Sequence, residues 1–389
     1  MKRLFLAGLM ACAGSVQAAG FALYEHSASA LGTAFAGQAV VAHDASTIFA
    51  NPAGLTEVDG RQVVAGGHLI SSSIQFSGGT PDGGNAGGLA LVPSFYYAME
   101  IAPNVKLGLG MYGPFGLKTE YDSNWVGNRE AILSDLKTLN LTPAIGWRVN
   151  DRLSLGVGLD YQYIQAELSK IHPIFGNLVT VKGDDTSWGY NLGFSYRLGE
   201  GTKLGVSYRS TVDHTLTGDT VLTPPGTVLP TTAAVVMPDM ASLAIEHRLS
   251  DRWSVMADAT WTGWHVFDRL DIVTPSGTDT TLEDWVDTVR VAIGAEYRYN
   301  DTWSWRFGVA YDPTPVPNAT RRTPRIPDAD RMSVAVGGQY RASKQTKVDF
   351  GYLHIFFNDS SINDVMLPTL TGTFSGHADI LGVQVSHNY

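Results

Sequence analysis

Apolar and polar residues alternate along most of this chain with a period of two, and that pattern leaves few folds open. In Leu153-Ser154-Leu155-Gly156-Val157-Gly158-Leu159-Asp160-Tyr161-Gln162-Tyr163 the odd positions are apolar or aromatic and the even ones small or polar. Trp188 to Arg197, Val289 to Tyr299, Trp303 to Tyr311 and Leu381 to Tyr389 repeat it. One face is greasy, with Trp and Tyr near its ends; the other carries Asp160, Arg197, Arg209, Asp258, Arg290, Glu296, Arg298, Arg306 and Asp349. A soluble sandwich would bury the greasy face as its core. A transmembrane barrel would turn that face to lipid and keep the charges in a wet lumen, because an arginine on the lipid face costs about 2–4 kcal/mol at midplane. The alternating stretches run to about 11–15 residues, well beyond the usual strand, which favours the barrel.

The N-terminus points the same way. Met1-Lys2-Arg3, the apolar run Leu4 to Ala13 and then Val16-Gln17-Ala18 form a charged region, an apolar region and a small-residue cleavage site, so residues 1–18 are expected to be an export signal. The only cysteine, Cys12, sits in Leu9-Met10-Ala11-Cys12, which loosely resembles a lipoprotein box; the apolar stretch before it is short and the site at Ala18 is better. A chain processed at Ala18 would have no cysteine, hence no disulfide scaffold and no thiolate metal site or thiol nucleophile. Past the signal no window approaches the roughly 18 apolar residues of a spanning helix. Charged residues make up only 16% of the chain, while Gly (42), Tyr (16), Phe (15) and Trp (9) are abundant, an unusual balance for a soluble domain of this size. The net charge of -10, with no basic run or stacking motif, argues against a nucleic-acid partner.

Read coarsely, the alternation predicts strands at 61–76, 89–101, 104–115, 137–149, 152–168, 185–198, 202–216, 238–249, 252–266, 286–299, 302–313, 330–341, 345–357 and 376–389. That makes about fourteen, an even number as single-chain barrels require. The connections alternate tight (Asn150-Asp151, Ser250-Asp251, Asn300-Asp301) and long (77–88, 116–136, 169–184, 217–237, 267–285, 314–329, 358–375), the asymmetry of short periplasmic turns and longer outer loops. Residues 61–389 are therefore expected to form an all-β, 14-stranded antiparallel barrel in a Gram-negative outer membrane, with both termini periplasmic, lipid and lipopolysaccharide around it, and a monomeric state.

Residues 19–60 do not alternate. They are rich in Ala, Gly and Ser, and Asp44-Ala45-Ser46-Thr47-Ile48-Phe49-Ala50-Asn51-Pro52-Ala53-Gly54-Leu55 reads as a capped helical turn ended by an Asn-Pro step. Small residues pack closely, so this segment is expected to fold into the lumen as a hatch, the alternative being a loose periplasmic tail of more charged composition. Two long connections are oddly apolar: Lys170, Ile171, Ile174 and Phe175 in 169–184, and Val221, Leu222, Val228, Leu229, Val235 and Val236 in 217–237. Leaning together they would leave a groove for a greasy small molecule, or else cover one another or meet a partner or lipopolysaccharide. No Gly-x-Ser-x-Gly, His-Glu-x-x-His or phosphate-cradling loop occurs, and the ten His are scattered, so no enzyme, cofactor or metal is expected; a barrel-borne lipid hydrolase is the reading of another class.

The residues resemble the FadL family of outer-membrane transporters of long-chain fatty acids and other hydrophobic compounds. The likeness runs from Ala19-Gly20-Phe21-Ala22-Leu23 through Ser27-Ala28-Ser29-Ala30-Leu31-Gly32 and is sharpest in Asp44 to Leu55. It implies passive uptake through a loop groove and an inner pocket, then sideways exit at an inward kink of the third strand, with no cofactor. Gly113-Pro114-Phe115-Gly116 matches the kink position; independently, a proline cannot donate to a ladder and two glycines permit a bend. The resemblance further implies that Asn51-Pro52-Ala53 lies against that kink, that Phe21 fills the inner pocket, and that Lys170 meets a carboxylate. Relatives in the family carry aromatic hydrocarbons, so the substrate stays open between the two.

Overall fold

In the computed structural model, which describes residues 20–364 and 369–389, twenty ladder segments join into fourteen antiparallel staves around one closed barrel. The staves are β1 (Gln62–Ser77), β2 (Leu89–Ala102), β3 (Val105–Tyr112 and Gly116–Glu120), β4 (Leu133–Arg148), β5 (Leu153–Ile171), β6 (Leu178–Gly199), β7 (Thr202–Arg209 and Val212–Thr223), β8 (Thr227–Met237 and Met240–Arg248), β9 (Trp253–Thr262 and Arg269–Thr274), β10 (Gly277–Leu282 and Thr288–Arg298), β11 (Trp303–Asp312), β12 (Arg331–Arg341), β13 (Thr346–Phe357 and Ser360–Asp364) and β14 (Leu370–Asn388). Closure is explicit in the register: β1 pairs with β2 on one side and along its whole length with β14 on the other, from Gln62↔Asn388 to Ser77↔Thr373. The expected signal, with Cys12, lies outside the described residues.

The staves reach further than the alternation implies. Most of 169–184 and 217–237 is strand, not loop: Leu178–Asp184 pairs with Thr217–Thr223, and Thr227–Met237 completes the next hairpin. The reason is a change of phase. On β6 the outward positions are Trp188, Tyr190, Leu192 and Phe194 low in the stave but Thr180, Lys182, Asp184 and Thr186 above them, where the outer face meets water. On β7 the outward residues likewise become Asp213, Thr215, Thr217 and Asp219, while Val212 and Leu216 turn in. A search for a greasy outer face stops where the hairpins leave the membrane.

Residues 20–58 fill the lumen. They include the short helices α1 (Ala28–Leu31) and α2 (Thr47–Ala50) and a 3-10 turn, Pro52–Glu57, which the Asn51 side chain caps by accepting from the Ala53 N–H at 3.0 Å. Their neighbours lie all round the wall: Gly32 meets Gly337 of β12, Gly37 meets Met256 of β9, and Pro52 meets Gly156 of β5. Approach is closest where the wall has no side chain. A methyl group added at Gly156 would stand 2.2 Å from the Ala53 nitrogen, and one at Gly193 would stand 2.0 Å from Asn51 Oδ1. Asn51-Pro52-Ala53 is thus seated on β5 and β6, not against the third-strand kink that the family resemblance implied.

The inward charges anchor this filling. Arg209 pairs with Asp160 and donates to the Phe49 carbonyl at 2.8 Å, Arg290 donates to the Ala34 carbonyl at 2.5 Å, and Asp258 accepts from the Gly37 N–H at 2.7 Å. Arg306 lies between Glu296 and Asp349, at 2.7 and 2.6 Å. Arg197 and Arg298 stand at the exposed rim, on the side of the short turns. Stranding one member of a buried pair costs about 3–5 kcal/mol. Arg209→Met is accordingly expected to lower barrel stability by about that amount, whereas Arg209→Met with Asp160→Asn recovers most of it; heat-induced unfolding followed by gel mobility reads both.

Candidate functional site

The third stave is broken by chemistry that the sequence displays. Pro114 offers no N–H, and between Tyr112 and Gly116 the pairing with β4 slips from Tyr112↔Asn140 to Gly116↔Lys137. On the other side the β2–β3 ladder ends at Phe95↔Met111, although β2 continues to Leu89. Only higher up does the Glu120 N–H reach the Ala86 carbonyl, at 3.0 Å. Between these points the wall has a window, and the edge of β3 that faces it is taken by the N-terminal segment. The Leu23 N–H donates to the Pro114 carbonyl at 2.8 Å, the Gly116 N–H to the Phe21 carbonyl at 2.9 Å, and Ala22 bridges Phe115.

That pairing delivers Phe21 into an aromatic cage of Phe115, Trp264, Phe267 and Trp285, with ring centroids 4.8–6.0 Å away. Above it opens a cavity of about 860 Å³, counted with its mouth. Its walls are Leu117, Leu136, Ala166, Leu216, Val235 and Ile272, from six staves. The segment is also held from above, because the Gly20 N–H donates to Asp328 Oδ2 at 3.1 Å in the connection 313–330.

Two buried ionisable groups break the apolar lining: Glu283, in the break of β10, and Arg325, in the connection 313–330. Arg325 Nη1 has only Ser134 Oγ at 3.4 Å and the Leu133 carbonyl at 3.5 Å, and among the described residues no carboxylate reaches ion-pair distance of it. Burial pulls its basicity down while Asp279, Glu130 and Glu283 pull it up from further off. Burial likewise pushes the Glu283 carboxyl up to about 8, against the Trp285 indole N–H that it accepts at 3.1 Å.

The structure brings Phe21 and Val235 into this cavity and spreads the other apolar candidates elsewhere. Lys170 is tied to Asp279 at 2.7 Å and does not line the cavity. Ile171 closes the β5–β6 hairpin opposite Leu178, whose tip leaves Ile174 and Phe175 80% and 75% exposed. Val221 pairs with Val228, Leu222 with Thr227, Leu229 with Thr220 and Val236 with Asp213 within the β7–β8 hairpin. At the kink, Gly113, Pro114, Phe115 and Gly116 are joined by Phe21 to Leu23, while Asn51, Pro52 and Ala53 lie lower on β5 and β6. Arg325 and Glu283 escaped the sequence reading; the one available signal was the cluster Arg321-Arg322-Thr323-Pro324-Arg325 in an outer connection.

Residues 9–389 match the family described as outer membrane protein transport protein (OMPP1/FadL/TodX). The long-chain fatty acid transport protein of Salmonella typhi is 28% identical over 412 residues, 93% of this chain and 94% of that one. A putative outer membrane protein of Neisseria meningitidis serogroup B is 31% identical, covering 100% of this chain and 98% of its own. Among solved structures, a FadL homologue of Pseudomonas aeruginosa superposes with a TM-score of 0.90 at 26% identity, over 95% of this chain and 100% of that one. The toluene transporter TodX of Pseudomonas putida shares the fold, with a TM-score of 0.74 at 20% identity over 94% and 99% of the two chains.

Proposed function

The chain belongs to the outer membrane protein transport family (OMPP1/FadL/TodX), and on that premise we propose that it takes up long-chain fatty acids passively and releases them sideways through the β2–β3 window. The observation that carries this reading is the placement of Phe21, which stoppers the cavity floor while its backbone lines the window. An acyl chain entering from outside exchanges water for the apolar walls at about 0.8 kcal/mol per methylene. It competes with Phe21 for the same aromatic cage. Displacing Phe21 also frees the β3 edge, so filling the cavity and opening the wall become one event. The chain then moves into the membrane, where its methylenes stay out of water, driven by its own gradient.

The fatty acid is preferred to an uncharged hydrocarbon because of Arg325. A buried guanidinium without a carboxylate is costly, and a carboxylate head supplies the missing partner. Arg325→Met is expected to weaken a fatty acid by about 1–3 kcal/mol and to leave its methyl ester unchanged, as equilibrium binding would read. Lys170→Ala, which frees only Asp279 at the rim, should change neither; equal losses for acid and ester would assign the cavity to uncharged molecules.

The window is tested by Gly116→Arg. A Cβ at Gly116 already stands 3.1 Å from Leu23 Cδ1, so the longer cation wedges into the window and meets an apolar ligand with an unpaired charge. The variant should reach the outer membrane, bind fatty acid at wild-type affinity and lose uptake. Uptake at the wild-type rate would move the exit to a route straight down through the hatch.

A further inference from the structure

We propose that Glu283 and Arg325 form a proton-linked station for the cargo's carboxylate, in which Glu283 is the residue that sets the pH range over which an anionic amphiphile is held. This rests on the uptake reading above and adds to it a second residue and a sign of pH dependence. Glu283 lies outside the paired strands of β10.

The geometry starts with two segments. Glu283 lies where β10 is interrupted, its own N–H donating to the Asp268 carbonyl at 2.8 Å. Arg325 comes from the connection 313–330, whose backbone is pinned to the third stave by Thr119 Oγ1 donating to the Arg325 carbonyl at 3.0 Å, and by the Tyr121 hydroxyl donating to the Pro324 carbonyl at 2.8 Å. Both side chains line the same cavity, 2% and 8% exposed, and they stand beyond ion-pair distance of each other. Of the other ionisable residues there, Lys182 turns its side chain outward and pairs with Glu167 at 3.0 Å, and Asp135 pairs with Lys137 at 2.8 Å. Glu283 faces Trp285, Thr323, Arg325 and Asp364; Arg325 faces Glu130, Asp279 and Glu283. Asp279 is bound to Lys170.

The chemistry follows from which of the two is charged. Removal from water, with a smaller contribution from Asp364, holds the Glu283 carboxyl up at about 8 in spite of the Trp285 N–H and Arg325. At neutral pH Glu283 therefore keeps its proton and adds no charge opposite Arg325, which is left with Asp279, already bound to Lys170, and Glu130, neither within ion-pair distance. An entering carboxylate takes the guanidinium, and the Glu283 hydroxyl is free to donate to it. Once Glu283 ionises, its charge adds to those of Asp279 and Glu130, which act on Arg325 from beyond ion-pair distance, and it repels the ligand. A bound anion raises the Glu283 pKa further, so binding takes up protons. Affinity for an anionic ligand is full below the free pKa and falls as pH rises through about 8. An uncharged ligand has no such slope.

The test is equilibrium binding of dodecanoate and of methyl dodecanoate to the purified full-length barrel between pH 6.5 and 9.5. The dodecanoate carboxyl is ionised throughout that range, since carboxyls titrate near about 4. The expected result is a loss of about tenfold in dodecanoate affinity from pH 7 to 9.5 in the wild-type protein, with no slope for the ester. Glu283→Gln should bind dodecanoate with no slope. A flat wild-type profile for dodecanoate, or an equal slope for the ester, would overturn the inference without any variant. An unchanged slope in Glu283→Gln would overturn it by placing the titrating group elsewhere. Binding of the ester but not of dodecanoate at any pH would instead remove the fatty-acid reading itself, and this inference with it.

Discussion

A backbone N–H or C=O that faces hydrocarbon has no water to bond, so a sheet crosses a membrane only as a ring whose every edge is met. The rest of this structure is arranged around a place, between β2 and β3, where the ring is not met by its own staves. β2 and β3 part above Phe95↔Met111, because Pro114 cannot donate and Gly113 and Gly116 let the stave turn inward. The exposed edge is satisfied by Phe21 to Leu23, two backbone hydrogen bonds from a segment that is not part of the barrel. Such a patch can be withdrawn at the cost of two hydrogen bonds, which a missing stave could not. The window is thus closed by something separable.

The rest of the hatch is arranged to stay put. Arg209, Arg290, Asp258 and the Gln384 amide, from four staves of the wall, hold its carbonyls, N–H groups and the Asp44 carboxylate. Asn51 Nδ2 donates to the Ala39 carbonyl and to the Phe194 carbonyl of β6, and wall glycines remove the side chains that would keep the backbones apart. Buried polar contacts of this kind fix position more than they add stability. Against this rigid body the first residues are differently held. Gly20 depends on Asp328, Phe21 on an aromatic cage and residues 21–23 on an edge, so a ligand in the cavity acts on a short lever and not on the whole filling.

Much of the barrel was legible because lipid imposes its pattern. Outward residues such as Leu155, Val157, Leu159 and Trp188 must be apolar while Asp160, Arg209 and Arg306 must not be, and this alternation counts the staves. Above the membrane the constraint lapses, which hid the strand character of 178–184 and 217–223. The kink was readable from Pro114 and its glycines; the partner that fills it was not. Asn51-Pro52-Ala53 has the more conspicuous chemistry, but its place depends on which distant staves carry glycines at the right height, at Gly156 and Gly193. For the polar end of the cavity, Lys170 is a cation in an apolar stretch, and nothing in the chain order reveals that Asp279 neutralises it. Arg325 and Glu283 meet only through the packing of two outer segments far apart in sequence.

The account turns on whether Phe21 to Leu23 must leave the edge of β3 for cargo to pass. The two hydrogen bonds flank Ala22 and Phe115, which makes them a non-hydrogen-bonded antiparallel pair, with Cα atoms about 4.5 Å apart and within reach of a disulfide. Among the described residues the chain has no cysteine to interfere. The decisive measurement is uptake of a long-chain fatty acid by Ala22→Cys with Phe115→Cys, oxidised and then reduced in the same outer membranes. Uptake lost on oxidation and regained on reduction is the result expected of a separable closure. Wild-type uptake with the disulfide formed would contradict it.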